Sequence, residues 1–135
     1  MAEGQFPLLL LSHGTMGGMW IHHDLGASLA RIGSIVISLT HAGDNFADTS
    51  RLGAVSSTYG RPMQISAALS TALDDAALAP HIDKNRIGFV GFSAGGTTGL
   101  ILAGAKPDLS RFEAYCAKRP DDHSVCEAEG KSRND

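Results

Sequence analysis

No stretch of this chain is both long and apolar enough to cross a bilayer. The longest strongly apolar run, FPLLLLS from Phe6 to Ser12, falls well short of the ~20 residues that a spanning helix needs. The same run fails as a secretory signal: Glu3 stands where a positive n-region belongs, and His13-Gly14 follows in place of a small-residue cleavage site. The chain therefore carries no address, and its compartment stays open. An excess of positive charge is also missing. The formal net charge is −3 with both signs interspersed, so there is no basic stripe to mark a nucleic-acid surface. KRPDDH, Lys118 to His123, sets basic residues beside acids and reads as a solvated face. Cysteine is scarce. Cys116 and Cys126 stand far enough apart to close a small disulfide loop, worth roughly 2–3 kcal/mol, and two free thiols are the equal alternative. Phosphate loops fail on inspection. A dinucleotide fingerprint needs glycine where Ser93 stands. In GLILAGAKP, Ala105 intervenes before Lys106, no Ser or Thr follows, and the stretch lies within a helical pattern. No nucleotide cofactor is expected, and no metal. HHD at His22 to Asp24 offers adjacent side chains that diverge around a helix, so it marks a helix start. There is no internal repeat.

What is present is an ordinary globular composition, 43% apolar and 19% charged over 135 residues, which fits a single domain spanning 1–135. Glycine is the exception: 16 residues against a usual share of ~7%. Because these glycines punctuate periodic apolar segments, they point to tight turns and close backbone approaches rather than disorder.

Phe6 to Ser12 has the continuous apolar character of a strand buried on both faces. Ile21, Leu25, Leu29 and Ile32 recur at helical spacing, and Gly33 sits where a left-handed C-terminal cap belongs. SIVISLT, Ser34 to Thr40, is rich in β-branched residues and predicts a second strand. His41 to Arg61 has no period and predicts a long loop, a feature that is often functional in a compact domain. Pro62 then opens a helix in its favoured first-turn position, with a stripe of Ile65, Ala68, Leu69, Ala72, Leu73 and Ala76, and Pro80 ends it. RIGFVGF predicts a third strand, Ala94 to Ala105 a small-residue helix, and Ser110 to Ala117 a further turn or two. Beyond Arg119 the chain is expected to fray, and His81 to be solvated. The alternation of strands with helical connections predicts an α/β fold: a parallel sheet of about three strands with helices on both faces.

One junction carries chemistry. RIGFVGFSAGG, Arg86 to Gly96, runs from strand to helix through Gly91-Phe92-Ser93-Ala94-Gly95, a Gly-x-Ser-x-Gly elbow. A serine at such a corner adopts a strained backbone that lifts Oγ clear of the sheet. Gly91 and Gly95 are required because side chains there would meet the helix and the neighbouring strand. The helix that follows directs free N–H groups at a developing oxyanion. One donor is expected from Ala94 and a second from Thr15, in the turn SHGTMGG after the first strand, where Gly17 and Gly18 allow close approach. His13 is expected to pack at the strand end and hold that turn. His13, Gly14 and His41 are the candidates for lining the pocket. The competing reading is a tight strand–helix turn with an inert serine.

LLLLSHGTMGG, HAGDN and RIGFVGFSAGGTTGLILAGAKPD together resemble the α/β-hydrolase superfamily, and within it the dienelactone hydrolase-like proteins related to platelet-activating-factor acetylhydrolases. The likeness covers roughly residues 6 to 126. It implies a serine hydrolase of carboxylic esters or lactones, with a small-molecule substrate, the nucleophile at Ser93 and oxyanion donors at Thr15 and Ala94. True dienelactone hydrolases carry cysteine at the elbow, so serine sets this chain with the esterase-like relatives. Similar exported proteins have cysteines near Cys116 and Cys126, which is what the resemblance adds in favour of a bridge.

The departures are informative. In that fold the triad acid and histidine follow the nucleophile on later strands. After Ser93 this chain offers Asp108, Asp121, Asp122 and His123, with no further strand to carry them, and His123 sits among acids in a polar stretch. The resemblance thus implies the N-terminal and central portion of a larger hydrolase, with both flanks absent and activity lost or impaired. The alternative is a non-catalytic remnant that binds a ligand or partner. It also implies a central first strand and an exposed apolar edge along Arg86 to Phe92, open to self-association.

Overall fold

The computed structural model describes residues 3–126. Three parallel strands, β1 (Phe6–Ser12), β2 (Ile35–Ser38) and β3 (Ile82–Gly91), form one sheet in the order β2-β1-β3. The helices are α1 (His23–Arg31), α2 (Val55–Asp74), α3 (Ala94–Leu102), α4 (Leu109–Lys118) and the single turn α5 (His123–Cys126). The chain is an α/β protein, with helices on both faces of a central β1.

The alternation of β1 decides which helix lies where, because successive side chains leave opposite faces. Leu8 is fully buried with Ala72 of α2 and with Ile82, and Ile35, Ile37, Leu69, Leu73 and Leu78 pack around them. Leu10 pairs with Phe89 of β3, whose ring lies against Gly99 of α3. Helices α2 and α3 therefore share this face. Leu11 and Val36 lie on the other face, against Gly26 of α1.

Several elements depart from their sequence expectation. Helix α2 begins at Val55, not at Pro62, and takes Pro62 into its interior with Arg61, both buried. A proline there forfeits one backbone bond and costs about 3 kcal/mol. The tertiary partners of Arg61, described below, hold the preceding turn helical. The long loop shortens accordingly to residues 41–54. Helix α2 also ends at Asp74, so Ala76 lies outside it and is exposed, while Pro80 sits in a short 3₁₀ turn, Ala79–His81. His81 is half-buried there, its Nδ1 3.1 Å from the Gly4 carbonyl. Strand β3 starts at Ile82, four residues early, through an irregularity in its pairing with β1. Asp83 braces that irregularity, accepting from Asn85 N–H at 3.0 Å and Arg86 Nε at 2.6 Å.

Of the expected apolar stripe, Ile21, Leu25 and Ile32 are exposed, the first and last lying outside α1, and Leu29 is half-buried, while Gly33 takes the left-handed conformation at φ +94°. Helix α3 stops at Leu102, three residues short of Ala105. Past Arg119 the chain forms α5 instead of fraying, up to Cys126. Cys116 and Cys126 are joined in a disulfide, and the remainder of that expected frayed tail lies outside the described residues. No helix among the described residues is long and apolar enough to cross a membrane.

Candidate active site

Ser93 sits between the end of β3 and the first residue of α3, with φ 53° and ψ −116°. A positive φ is rare for a residue with a Cβ and is held only where the surroundings impose it. The surroundings are legible atom by atom. Phe92 N–H donates to the Ser12 carbonyl at 3.1 Å, and Gly95 N–H donates to the Phe92 carbonyl at 2.8 Å. A Cβ on Gly91 would overlap the Gly95 carbonyl, and one on Gly95 would overlap the Ser12 carbonyl. Both collisions are with backbone, which cannot swing aside. The turn can be this tight only with glycine at both positions. Ser93 is exposed, and its hydroxyl does not cap α3 and has no hydrogen-bond partner among the described residues.

The turn after β1 lies directly alongside. A Cβ on Gly14 would stand 3.3 Å from Cβ of Ser93 and 3.1 Å from the Phe92 ring. Thr15 and Ala94 line one cavity of about 230 Å³, together with Thr97, Thr98 and the segment from Leu52 to Arg61. Neither the Thr15 nor the Ala94 amide donates to any acceptor among the described residues. The segment expected from sequence to be a long loop, His41 to Arg61, thus borders the cavity, though its last part, from Val55, belongs to α2.

Neither Ser93 nor Gly14 is among the residues lining that cavity, and His13 and His41 are not either. Both histidines are buried, with ring centroids 5.0 Å apart, and each has both nitrogens occupied. His13 Nε2 accepts from His41 N–H at 3.0 Å, so the proton is on Nδ1, which donates to the Gly14 carbonyl at 2.6 Å. His41 repeats the pattern. Its Nδ1–H donates to Gln64 Oε1 at 2.8 Å and its Nε2 accepts from Ser12 Oγ at 2.8 Å. Burial lowers the pKa of His13, and that of His41 to about 4, with Arg61 adding to both. Two neutral imidazoles with no free lone pair cannot take a proton from Ser93. They are scaffolding and not pocket wall, because the burial that neutralises them also walls them off.

The residues that sequence reading missed are Arg61 and Asp44. They form an ion pair with side chains 3% and 5% exposed and Nε 3.4 Å from Oδ2. Nε makes no hydrogen bond at that geometry, and Nη1 has no partner among the described residues, so the attraction is one of charge. Burial lowers the pKa of Arg61 and Asp44 opposes the shift. Arg61 Nη2 lies 3.1 Å from His13 Nδ1. That nitrogen already carries a proton, so Nη2 donates instead to the Gly14 carbonyl at 3.4 Å. Asp44 Oδ1 accepts from Met16 N–H at 2.9 Å, holding Met16 at φ 58°. The available signal was an arginine directly before a proline in a weakly charged stretch.

His22 precedes α1 without capping it, and its ring meets Phe92 edge-on at 5.6 Å. His23 pairs with Asp24 at 3.0 Å on the surface. In comparison with known proteins, no family model matches this chain and no curated protein matches it.

Proposed function

We propose that this chain is a serine hydrolase of the α/β-hydrolase type, acting on carboxylic ester or lactone bonds of small molecules. The observation that supports it most is the Ser93 backbone: φ 53° at a strand–helix corner, enforced by Gly91 and Gly95, with the Gly14–Thr15 turn against the same serine. In the reaction, Ser93 Oγ adds to the ester carbonyl carbon as its proton passes to solvent water, which later returns a proton to the leaving alcohol. The carbonyl oxygen gains the charge and receives the N–H groups of Thr15 and Ala94. Collapse expels the alcohol and leaves an acyl-serine, which water then hydrolyses.

Activity of this chain is expected to be weak. His13 and His41 are both committed elsewhere, and no acid or imidazole is bonded to Ser93 Oγ among the described residues. The test is turnover of p-nitrophenyl acetate and a small lactone, by the wild-type chain and by Ser93→Ala. A slow, saturable rate abolished in Ser93→Ala supports the reading, and an identical rate in both proteins rejects it.

The unpartnered hydroxyl favours a second reading, a remnant that binds a ligand or partner without turning it over. Saturable binding of a small ester, with no difference in its fate between the two proteins, selects it. A further partner is a second copy of the chain, paired along the free side of β3, where Ile87 and Val90 are 37% and 39% exposed.

A further inference from the structure

The Gly14 carbonyl accepts from three directions: His13 Nδ1–H at 2.6 Å, Arg61 Nη2 at 3.4 Å and Gly17 N–H at 3.1 Å. A trans peptide is planar, so its C=O and N–H point opposite ways. The N–H on the far side of this peptide belongs to Thr15 and has no acceptor among the described residues. We infer that His13, backed by Arg61, is a positioning residue: by gripping the Gly14 carbonyl it fixes the direction of the Thr15 amide, the oxyanion donor.

The inference rests on the hydrolase reading for its catalytic meaning, but its geometry stands independently. His13 is anchored behind by His41 N–H on Nε2. Asp44 pins the next peptide through Met16 N–H and holds Arg61 in place by charge. The turn is therefore restrained on successive peptides, by His13 from outside the cavity and by Asp44 and Arg61, which also line it. Preorganised donors are effective because they need no reorientation as charge develops, and a rigid carbonyl clamp supplies that here.

Two variants separate this role from simple core filling. Asparagine at 13 places its amide nitrogen near the position of Nδ1 and can still donate to Gly14. Glutamine reaches the position of Nε2 and can still accept from His41, but leaves the Gly14 carbonyl without its shortest bond. The rate of Ser93 labelling by a fluorophosphonate should stay within about tenfold of wild type in His13→Asn. It should fall about 100-fold in His13→Gln, the scale of losing one oxyanion donor. Equal rates in both variants, or the reverse order, overturn the inference.

Two measurements read the geometry without catalysis. Imidazole nitrogen shifts in the wild-type chain should show His13 protonated on Nδ1 and bare on Nε2, and the opposite tautomer overturns the inference. Residual dipolar couplings should give Thr15 N–H a new direction in His13→Gln while β1–β3 keep theirs; an unchanged direction also overturns it. Wild-type protein that never labels counts against the hydrolase reading alone, because the tautomer and the couplings still decide the positioning role.

Discussion

Ser12 Oγ donates a 2.8 Å hydrogen bond to Nε2 of His41, and both side chains are fully buried. The bond requires His41 to be neutral, and burial holds its pKa down at about 4. In the unfolded chain the same imidazole titrates near ~6.5. Between those values the unfolded state binds a proton that the folded state refuses. Stability is therefore full above about pH 6.5 and falls as the pH drops toward about 4, by up to roughly 3 kcal/mol from this residue. His13 acts in the same direction. Urea unfolding midpoints taken from about pH 7 to about pH 4.5 should decline steadily. A flat profile would contradict the neutral, buried pair.

The Arg61–Asp44 pair makes a second prediction. Removing one member of a buried ion pair strands the other and costs ~3–5 kcal/mol. Arg61→Leu should destabilise the fold by that amount, and adding Asp44→Asn should recover at least about half of it. The asparagine keeps an acceptor for Met16 N–H while dropping the stranded charge. A double variant no more stable than Arg61→Leu would show that the two charges are not coupled.

Two neighbouring glycines should behave differently. A Cβ on Gly95 collides with the Ser12 backbone carbonyl, whereas one on Gly96 meets nothing closer than the Gly91 carbonyl at 3.7 Å. Gly95→Ala should cost ~1–3 kcal/mol as an overpacked core site does. Gly96→Ala should be neutral or stabilising by up to ~1 kcal/mol, the helix preference for alanine. Thermal melts of the two variants test the elbow's geometry without any substrate.

The corner was legible in the sequence because its constraint is local: Gly91, Ser93 and Gly95 lie within one turn, and steric exclusion shows directly as residue choice. The buried stripe of α2 was legible through Ile65, Leu69 and Ala72 for the same reason. The start of α2 was not. Pro62 is a local signal for a first turn, and it was overruled by partners of Arg61 that lie 47 residues away at the Gly14 carbonyl and in the loop at Asp44. The neutral roles of His13 and His41 also depend on pairs distant in the chain. Periodicity was a poorer guide in α1, where Leu29 is half-buried but Leu25 and the flanking Ile21 and Ile32 stay exposed.

The open side of β3 gives a concentration-dependent prediction. Ile87 and Val90 present apolar surface on a strand with no second partner among the described residues, so sedimentation velocity should show species larger than a monomer growing with concentration. Val90→Lys places a charge on that edge and should suppress them. A strictly monomeric wild-type chain would remove the edge from consideration as an interface.

The most direct test of the central claim is covalent labelling with a fluorophosphonate, mapped by mass spectrometry. The account predicts one adduct per chain, on Ser93 and none on Ser12, with labelling lost in Ser93→Ala and on unfolding. A well-folded chain that takes up no label, or takes it up indiscriminately at several serines, would contradict a nucleophilic hydroxyl beside oxyanion donors at this corner.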